Sequence, residues 1–527
     1  MQQSNDTVSS AWQVVTARTG YGSERAVATV VFGLLAVASL LPTLLTPIPA
    51  MVDYLNHLTR MYILSQAGTA NANPYYEAAW ALYPNLAMDL VIPRLARVMS
   101  VQSATRLFLL LSQLSIISGA LALEWAVKRR VHLAGFAALM FLYCLPFSWG
   151  FVNFECGLGI ALWGIAAYLM LAERQWPLRF TINAAFVTIL FAAHFFALGV
   201  YGATLGLYEL WRSFDRKLRY RDAALRLVIL ATPALALSIV MRLTAGTIGS
   251  EGNAWFFALK PVWLFRIMNG YNMTVSAATA LALATALYVA AKRGFLRLEP
   301  AGIWLVIGFA LLYLAIPSKL LGTSFADLRL IPAAALILPS FCSLSLPDRR
   351  STMAGLIIVS GITLANLTVV LAVWLSYRAD YAAIIESFGK IEHGAMVLIG
   401  SSGEEADPPF NDLTQYPMYY APTLAVHYAN AFVPNVFTEA GKQPIQPHAA
   451  VRRLDIPYGG PVPLRLLSAI AAGQIAPSDI PPFIRAWYRD YDYLYLLGPA
   501  VANPLPSLLE EVDRSARFVL YKIRRTP

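Results

Sequence analysis

The chain has 527 residues, 58% of them hydrophobic and 13% charged. A soluble protein of this size carries about twice that share of charge, so the composition excludes an ordinary soluble enzyme. The net charge of +10 is concentrated in short loops between apolar runs, where it sets membrane orientation and gives no reason to expect nucleic acid.

Residues 1–25 are polar and read as a cytoplasmic tail. No cleavable signal peptide is evident, so the first apolar run is expected to act as a signal-anchor. Uncharged runs follow at 26–46, 107–123, 133–147, 158–171, 227–241, 274–291, 303–317, 331–346 and 353–375. Several approach or exceed the ~20 residues that span a bilayer core as helix. The basic loops between them are "VKRR" (127–130), "ERQWPLR" (173–179), "RSFDRKLRYRD" (212–222), "KRGFLR" (292–297) and "DRR" (348–350). Placing these in the cytoplasm forces an even number of spans between neighbours. The stretch 180–211 is then read as two short helices broken at "AHFF" (193–196). The total is about eleven spans, with the amino terminus inside and the carboxyl terminus outside. Cys144, Cys156 and Cys342 lie in or beside apolar runs without metal-ligand spacing. They read as small buried hydrophobes.

Beyond residue 378 the long apolar runs stop. "AMVLIGS" (395–401), "YDYLYLLG" (491–498) and "ARFVLYKI" (516–523) read as buried strands, and "PLRLLSAIAAG" (463–473) as a helix with a Gly stop. The fold class is thus mostly α: a polytopic helical membrane domain over 26–377 with a small α/β domain over 378–527 on the outer, periplasmic face of a bacterial inner membrane. "GSSGEE" (400–405) carries no Walker lysine, which argues against a nucleotide-driven pump.

The outer turns each carry polar groups. The long first loop, 48–103, holds Asp53, Asn56, His57, Arg60, Glu77, Asp89, Arg94 and Arg97. Later turns hold Asn153 and Glu155, then His194, then Glu251, Asn253, Lys260, Arg266 and Asn269, then Lys319, Asp327 and Arg329. Ionisable residues that enter a membrane usually face a cavity or one another, so a site is expected at the outer surface. Within "PAMVDYLNHLTRMY" (49–62), helical spacing puts Asp53, Asn56, His57 and Arg60 on one face. Leu55, Leu58, Met61 and Tyr62 take much of the other side. This reads as an amphipathic helix lying along the membrane interface. The plainer alternative is a solvated face with Asp53 as helix N-cap.

At these residues the sequence resembles the GT-C superfamily of integral membrane glycosyltransferases, of the protein mannosyltransferase or aminoarabinose transferase type. The shared features are an acid directly after the first span, a long first outer loop, the span count, and a soluble domain after the last span. The resemblance implies a polyprenyl-phosphate-linked sugar donor, a glycan, lipid or protein acceptor, and membrane lipids around both. It implies Asp53 as catalytic base or acceptor-positioning acid. Many members carry two adjacent acids here, whereas this chain has Tyr54 after Asp53 and no second acid before Glu77. No cofactor is certain, and a divalent metal stays open. Transfer from a lipid phosphate needs a base near the acceptor and cations near the leaving phosphate. Arg60, Lys260, Arg266, Lys319 and Arg329 are the candidate cations, with Asn56 and His57 beside the base. Glu155 reads as a second acid or a partner of a nearby base. Asp327 and Arg329 read equally as a mutual ion pair fixing a helix end, and His194 as a hydrogen-bonded helix-break residue. The competing functions are a transporter or flippase of lipid-linked glycans and a polysaccharide polymerase or ligase. A transporter should place such features near the bilayer midplane, often with internal repeats.

Overall fold

The computed structural model describes residues 5–131, 133–171, 173–244, 252–320, 323–403, 416–456, 459–498 and 501–525, with side chains from residue 24 onward. Glu251 and the two glutamates that end "GSSGEE", Glu404 and Glu405, lie outside the described residues. In chain order the helices are α1 (Asn5–Leu45), α2 (Tyr54–Gln66), α3 (Ala87–Leu95), α4 (Val101–Lys128), α5 (Ala134–Phe141), α6 (Leu145–Ser148), α7 (Val152–Met170) and α8 (Trp176–Ala193). There follow α9 (Phe195–Asp215), α10 (Tyr220–Thr244), α11 (Lys260–Arg266), α12 (Met273–Lys292), α13 (Pro300–Ala315), α14 (Leu330–Ile337) and α15 (Arg349–Ser376). Among the described residues, 7 helical segments are long and apolar enough to cross a membrane, in α1, α4, α7, α8, α10, α12 and the run from α15 to Lys390. Three shorter apolar segments, Ala134–Ser148, Pro300–Ala315 and Leu330–Phe341, join them. The molecule is a mostly helical, polytopic membrane protein.

The stretch 180–211 is two helices. His194 breaks them with extended backbone, φ −163°. Arg179 at the start of α8 pairs with Glu209 near the end of α9, so the two run antiparallel. Backbone groups freed at such a break need partners. The first loop supplies them: Leu86 N donates to the Ala192 carbonyl at 2.6 Å, and Phe195 N donates to Asn85 Oδ1 at 2.8 Å. A tight turn joins α6 to α7.

The basic loops gather at one end of the bundle. Lys128 donates to the Pro339 carbonyl at 2.9 Å, and 296–298 pairs antiparallel with 342–344. The opposite end holds the first loop, the 149–151 turn, His194, the 318–329 segment and the C-terminal domain. That domain is built on a 5-stranded sheet in the order 509–514, 518–523, 493–497, 397–401, 462–463. Strand 397–401 runs parallel to both neighbours and the remaining pairs are antiparallel. Residues 397–400 and 493–497 are buried, which is why these strands read as unbroken apolar runs.

One expectation is overturned. Helix α2 does not lie along a membrane interface with a free polar face. Tyr54, Leu55, Asn56, Leu58, Thr59, Arg60, Met61, Ile63 and Leu64 are all buried, because the C-terminal domain covers the face left for solvent. The seam is polar and hydrogen-bonded. Asn56 Nδ2 donates to the Asn435 carbonyl at 2.7 Å, and Asn56 Oδ1 accepts from Phe437 N at 2.9 Å. Thr59 and Thr423 share a hydroxyl hydrogen bond of 3.0 Å. Tyr62 stacks on His427 at 4.1 Å. Further along the loop, Tyr76–Ala78 pairs antiparallel with Ile445–Pro447, Tyr75 donates to the Gly394 carbonyl, and Asn73 donates to that of Ala431 at 3.1 Å.

Asn56→Ala strips two partners from a buried seam. The expected result is a loss of about 1–3 kcal/mol of stability, measured as a lower melting temperature of the full-length protein in detergent.

Candidate functional site

Asp53 precedes α2 and is only partly buried. It occupies the N-cap position, yet its side chain caps nothing. Its backbone does the structural work instead: the carbonyl accepts from His57 N at 2.9 Å, and the N–H donates to the Trp149 carbonyl at 3.0 Å. The 149–151 turn can come this close because residue 150 is glycine. Gly150 has φ +89°, and a Cβ there would lie 3.0 Å from Tyr54 N and 3.1 Å from Asp53 N. No hydrogen bond or ion pair holds the Asp53 carboxylate among the described residues. Burial pushes that carboxyl up to about 7, against the lowering pull of Arg329 and then Arg60.

Arg329 is the group that answers it. It caps α14 from the far side of the sequence and is buried. Its guanidinium lies over the Phe151 ring at 4.3 Å, and its Nε has no hydrogen-bond partner. Burial draws it down to about 10, and the Asp53 charge opposes this. The two charges feel each other without closing into an ion pair. The expected mutual pair of Asp327 and Arg329 is replaced by another. Asp327 takes Lys260 at 2.9 Å, the Ser318 hydroxyl at 2.7 Å and the Leu328 N–H at 2.9 Å, all of which leaves Arg329 free of it.

Aromatic rings wall this space. Trp149 lies 5.0 Å from Phe325 and 6.4 Å from Phe151 between ring centroids. Phe325 sits at φ +59°, a strained conformation for a bulky residue. From the C-terminal domain, Tyr420 packs on Phe437 at 5.1 Å, and Phe437 packs on His57 at 5.5 Å. The Tyr420 hydroxyl is raised by burial and then by the Asp53 charge. His194 on the other side is held well below its ordinary range by burial and by Arg329. It is therefore neutral.

The remaining sequence candidates divide clearly. Arg60 is committed to Asp89 through two bonds, 2.7 and 3.0 Å, with both side chains buried. Removing either partner would strand a buried charge at a cost of about 3–5 kcal/mol. Asn56 is committed to the seam. His57 lies one turn beyond Asp53, its imidazole held neutral by burial and by Arg60. Lys260 is committed to Asp327 and to the carbonyls of Tyr313 and Ile316 at 2.6 and 2.9 Å. Arg266 lies 5.7 Å from the Trp263 ring. Lys319 pairs antiparallel with Ser324. Glu155, in the first turn of α7, accepts from the Cys144 thiol at 3.9 Å. Sequence reasoning missed Tyr420, Trp149 and Phe325. The aromatic run "YPMYYAP" (416–422) was the available signal for Tyr420.

No family model matches the chain, and no curated protein matches it. Among solved structures it is similar to ArnT from Cupriavidus metallidurans in the apo state. The identity is 13% and the TM-score 0.46, over 96% of this chain and 98% of that one. It is also similar to the arabinofuranosyltransferase AftD from Mycobacteria. There the identity is 13% and the TM-score 0.42, over 94% of this chain and 40% of that one.

The donor set does not suit a divalent cation. Among the described residues no group of three His, Cys, Asp or Glu side chains comes together, and the charge facing Asp53 is a guanidinium.

The Asp53 carboxyl should titrate near neutrality. Carbodiimide, which attacks the protonated acid, is expected to label Asp53 below pH ~7 and progressively less above it. In Arg329→Gln the labelling should persist to higher pH, because the lowering charge is gone. Peptide mass spectrometry reads both.

Proposed function

We propose that this protein is a membrane glycosyltransferase. It moves a sugar from a polyprenyl-phosphate-linked donor to an acceptor at the outer face of the membrane, with Asp53 as base. One observation carries the reading: the Asp53 carboxylate, held by no hydrogen bond or ion pair among the described residues, and the Arg329 guanidinium, closed on no acid, lie within each other's electrostatic reach beside the rings of Trp149, Phe151 and Phe325. A carboxyl poised near 7 takes up a proton efficiently at neutral pH. An Arg with unused donors suits the phosphate left behind.

The step follows from these positions. The acceptor hydroxyl donates a hydrogen bond to Asp53. Its oxygen forms a bond to the anomeric carbon as the bond from that carbon to the phosphate oxygen breaks. The proton passes to Asp53, and the electron pair leaves with the lipid phosphate. Arg329 stabilises the charge gathering there. Direct displacement needs no covalent intermediate. Tyr420 adds a hydroxyl beside the base, and the rings of Trp149, Phe151 and Phe325 offer faces for the donor. Arg60, Asn56 and Lys260 act behind the site, by fixing α2 and the 327–329 segment. The placement of the basic loops at the opposite end supports an outer-face site.

Purified protein, radiolabelled polyprenyl-phosphate sugar and membrane extract test the proposal. Asp53→Asn is expected to lower transfer about 100-fold or more, with its melting temperature close to wild type. Equal transfer by both would remove Asp53 as base. Translocation of labelled glycan without transfer would replace the enzyme by a transporter. For wild type, kcat/KM should rise with pH through ~7 as Asp53 ionises, and that rise should shift to higher pH in Arg329→Gln.

A further inference from the structure

A second built feature lies at the other end of the bundle, among the basic loops. Glu209 of α9 is buried, 1% exposed, and three arginines share it. Arg179 of α8 pairs with it directly. Arg212 approaches at 3.6 Å and Arg226 of α10 at 3.5 Å. Tyr168 donates to the same carboxylate at 3.2 Å and accepts from Arg179 at 2.6 Å. Arg212 also reaches Glu173, at 2.8 Å, which in turn holds Arg216 at 2.6 Å. Four arginines therefore meet two glutamates. Arg212 is shared between both carboxylates, whereas Arg179 and Arg226 rest on Glu209 alone as their acid among the described residues, and the Arg179 Nε is buried without a hydrogen-bond partner.

A cavity of about 60 Å³ opens beside this group. Trp176, Arg179 and Asn183 of α8, Glu209 of α9, and Arg226 and Ile229 of α10 are among the residues that line it. Its mouth lies between two helices whose outer faces are apolar and exposed: Trp176, Leu225 and Val228 are 65, 58 and 60% exposed. Excess positive charge at this depth, in low dielectric, calls for an anion. The apolar faces on either side would be bare in water.

We propose that this cavity seats the phosphate of an anionic membrane phospholipid, with its acyl chains lying along α8 and α10. Arg179 and Arg226 would hold the phosphate oxygens. Trp176 would sit at the level of the headgroups, where tryptophan is favoured. Basic pockets between helices at this end of a membrane protein are suited to anionic headgroups. The site is remote in sequence and fold from Asp53, so the proposal stands apart from the transferase reading.

Native mass spectrometry of the delipidated full-length protein tests it, with phosphatidylglycerol and phosphatidylcholine as probes. The expected result is one tightly retained phosphatidylglycerol, preferred over phosphatidylcholine by about tenfold or more, with each arginine contributing about fivefold. Arg226→Gln should cut that preference about fivefold, and Arg226→Lys should keep most of it. Should Arg226→Gln also lower the melting temperature, wild type alone decides: its preference must fall as salt is raised. Equal retention of the two lipids, or a preference indifferent to both Arg226→Gln and salt, would overturn the proposal. So would complete displacement of the lipid by inorganic phosphate at equal concentration, which would mark a simple anion hole.

Discussion

The architecture around the site depends on the burial of α2. A helix with Asn, Thr and Arg among its buried side chains is costly to bury unless those groups find partners. Here the partners come from two places, and a backbone bond adds a third tie. Asp89 of the same loop takes Arg60, the C-terminal domain takes Asn56 and Thr59, and the Trp149 carbonyl takes the Asp53 N–H just before the helix. Once these are in place α2 cannot rotate or slide. Its N-terminal end then projects one carboxylate that nothing in the protein uses.

The cationic side is built by the same logic. Asp327 is anchored by a lysine, a serine and a backbone N–H. That anchoring fixes the short segment leading into α14 and turns Arg329 onto Phe151. Buried charge pairs are weak evidence for stability, but as positioning devices they are effective. Two closed pairs, Arg60–Asp89 and Lys260–Asp327, frame one open pair, Asp53 and Arg329. The open pair leaves one carboxylate and one guanidinium without an ion-pair partner among the described residues.

Much of this was legible in the sequence. Hydropathy and basic loops gave the helical spans, and the break at His194 was readable because the number of spans between neighbouring basic loops had to be even. The three central strands of the C-terminal sheet were readable because buried strands are continuous apolar runs. Asp53 and Arg329 were both among the named candidates. What the sequence could not convey was which charges would find partners. Spacing put Asp53, Asn56, His57 and Arg60 on one face, but only the fold reveals that Asn435 and Phe437, nearly four hundred residues away, use up Asn56. The same holds for Asp327, whose partner is Lys260 and not the nearby Arg329. The seam itself was invisible, because strand 76–78 is three residues long and its partner strand is equally short. Local pattern carries too little signal over such lengths.

The most direct test of the account is a structure of the protein with a polyprenyl phosphate bound. The account predicts the phosphate within hydrogen-bond reach of the Arg329 guanidinium, with Asp53 facing the bond that would join the lipid phosphate to a sugar. A phosphate seated instead on Lys319 or Arg266, with Arg329 still against Phe151 and Asp53 without access to the lipid, would contradict it.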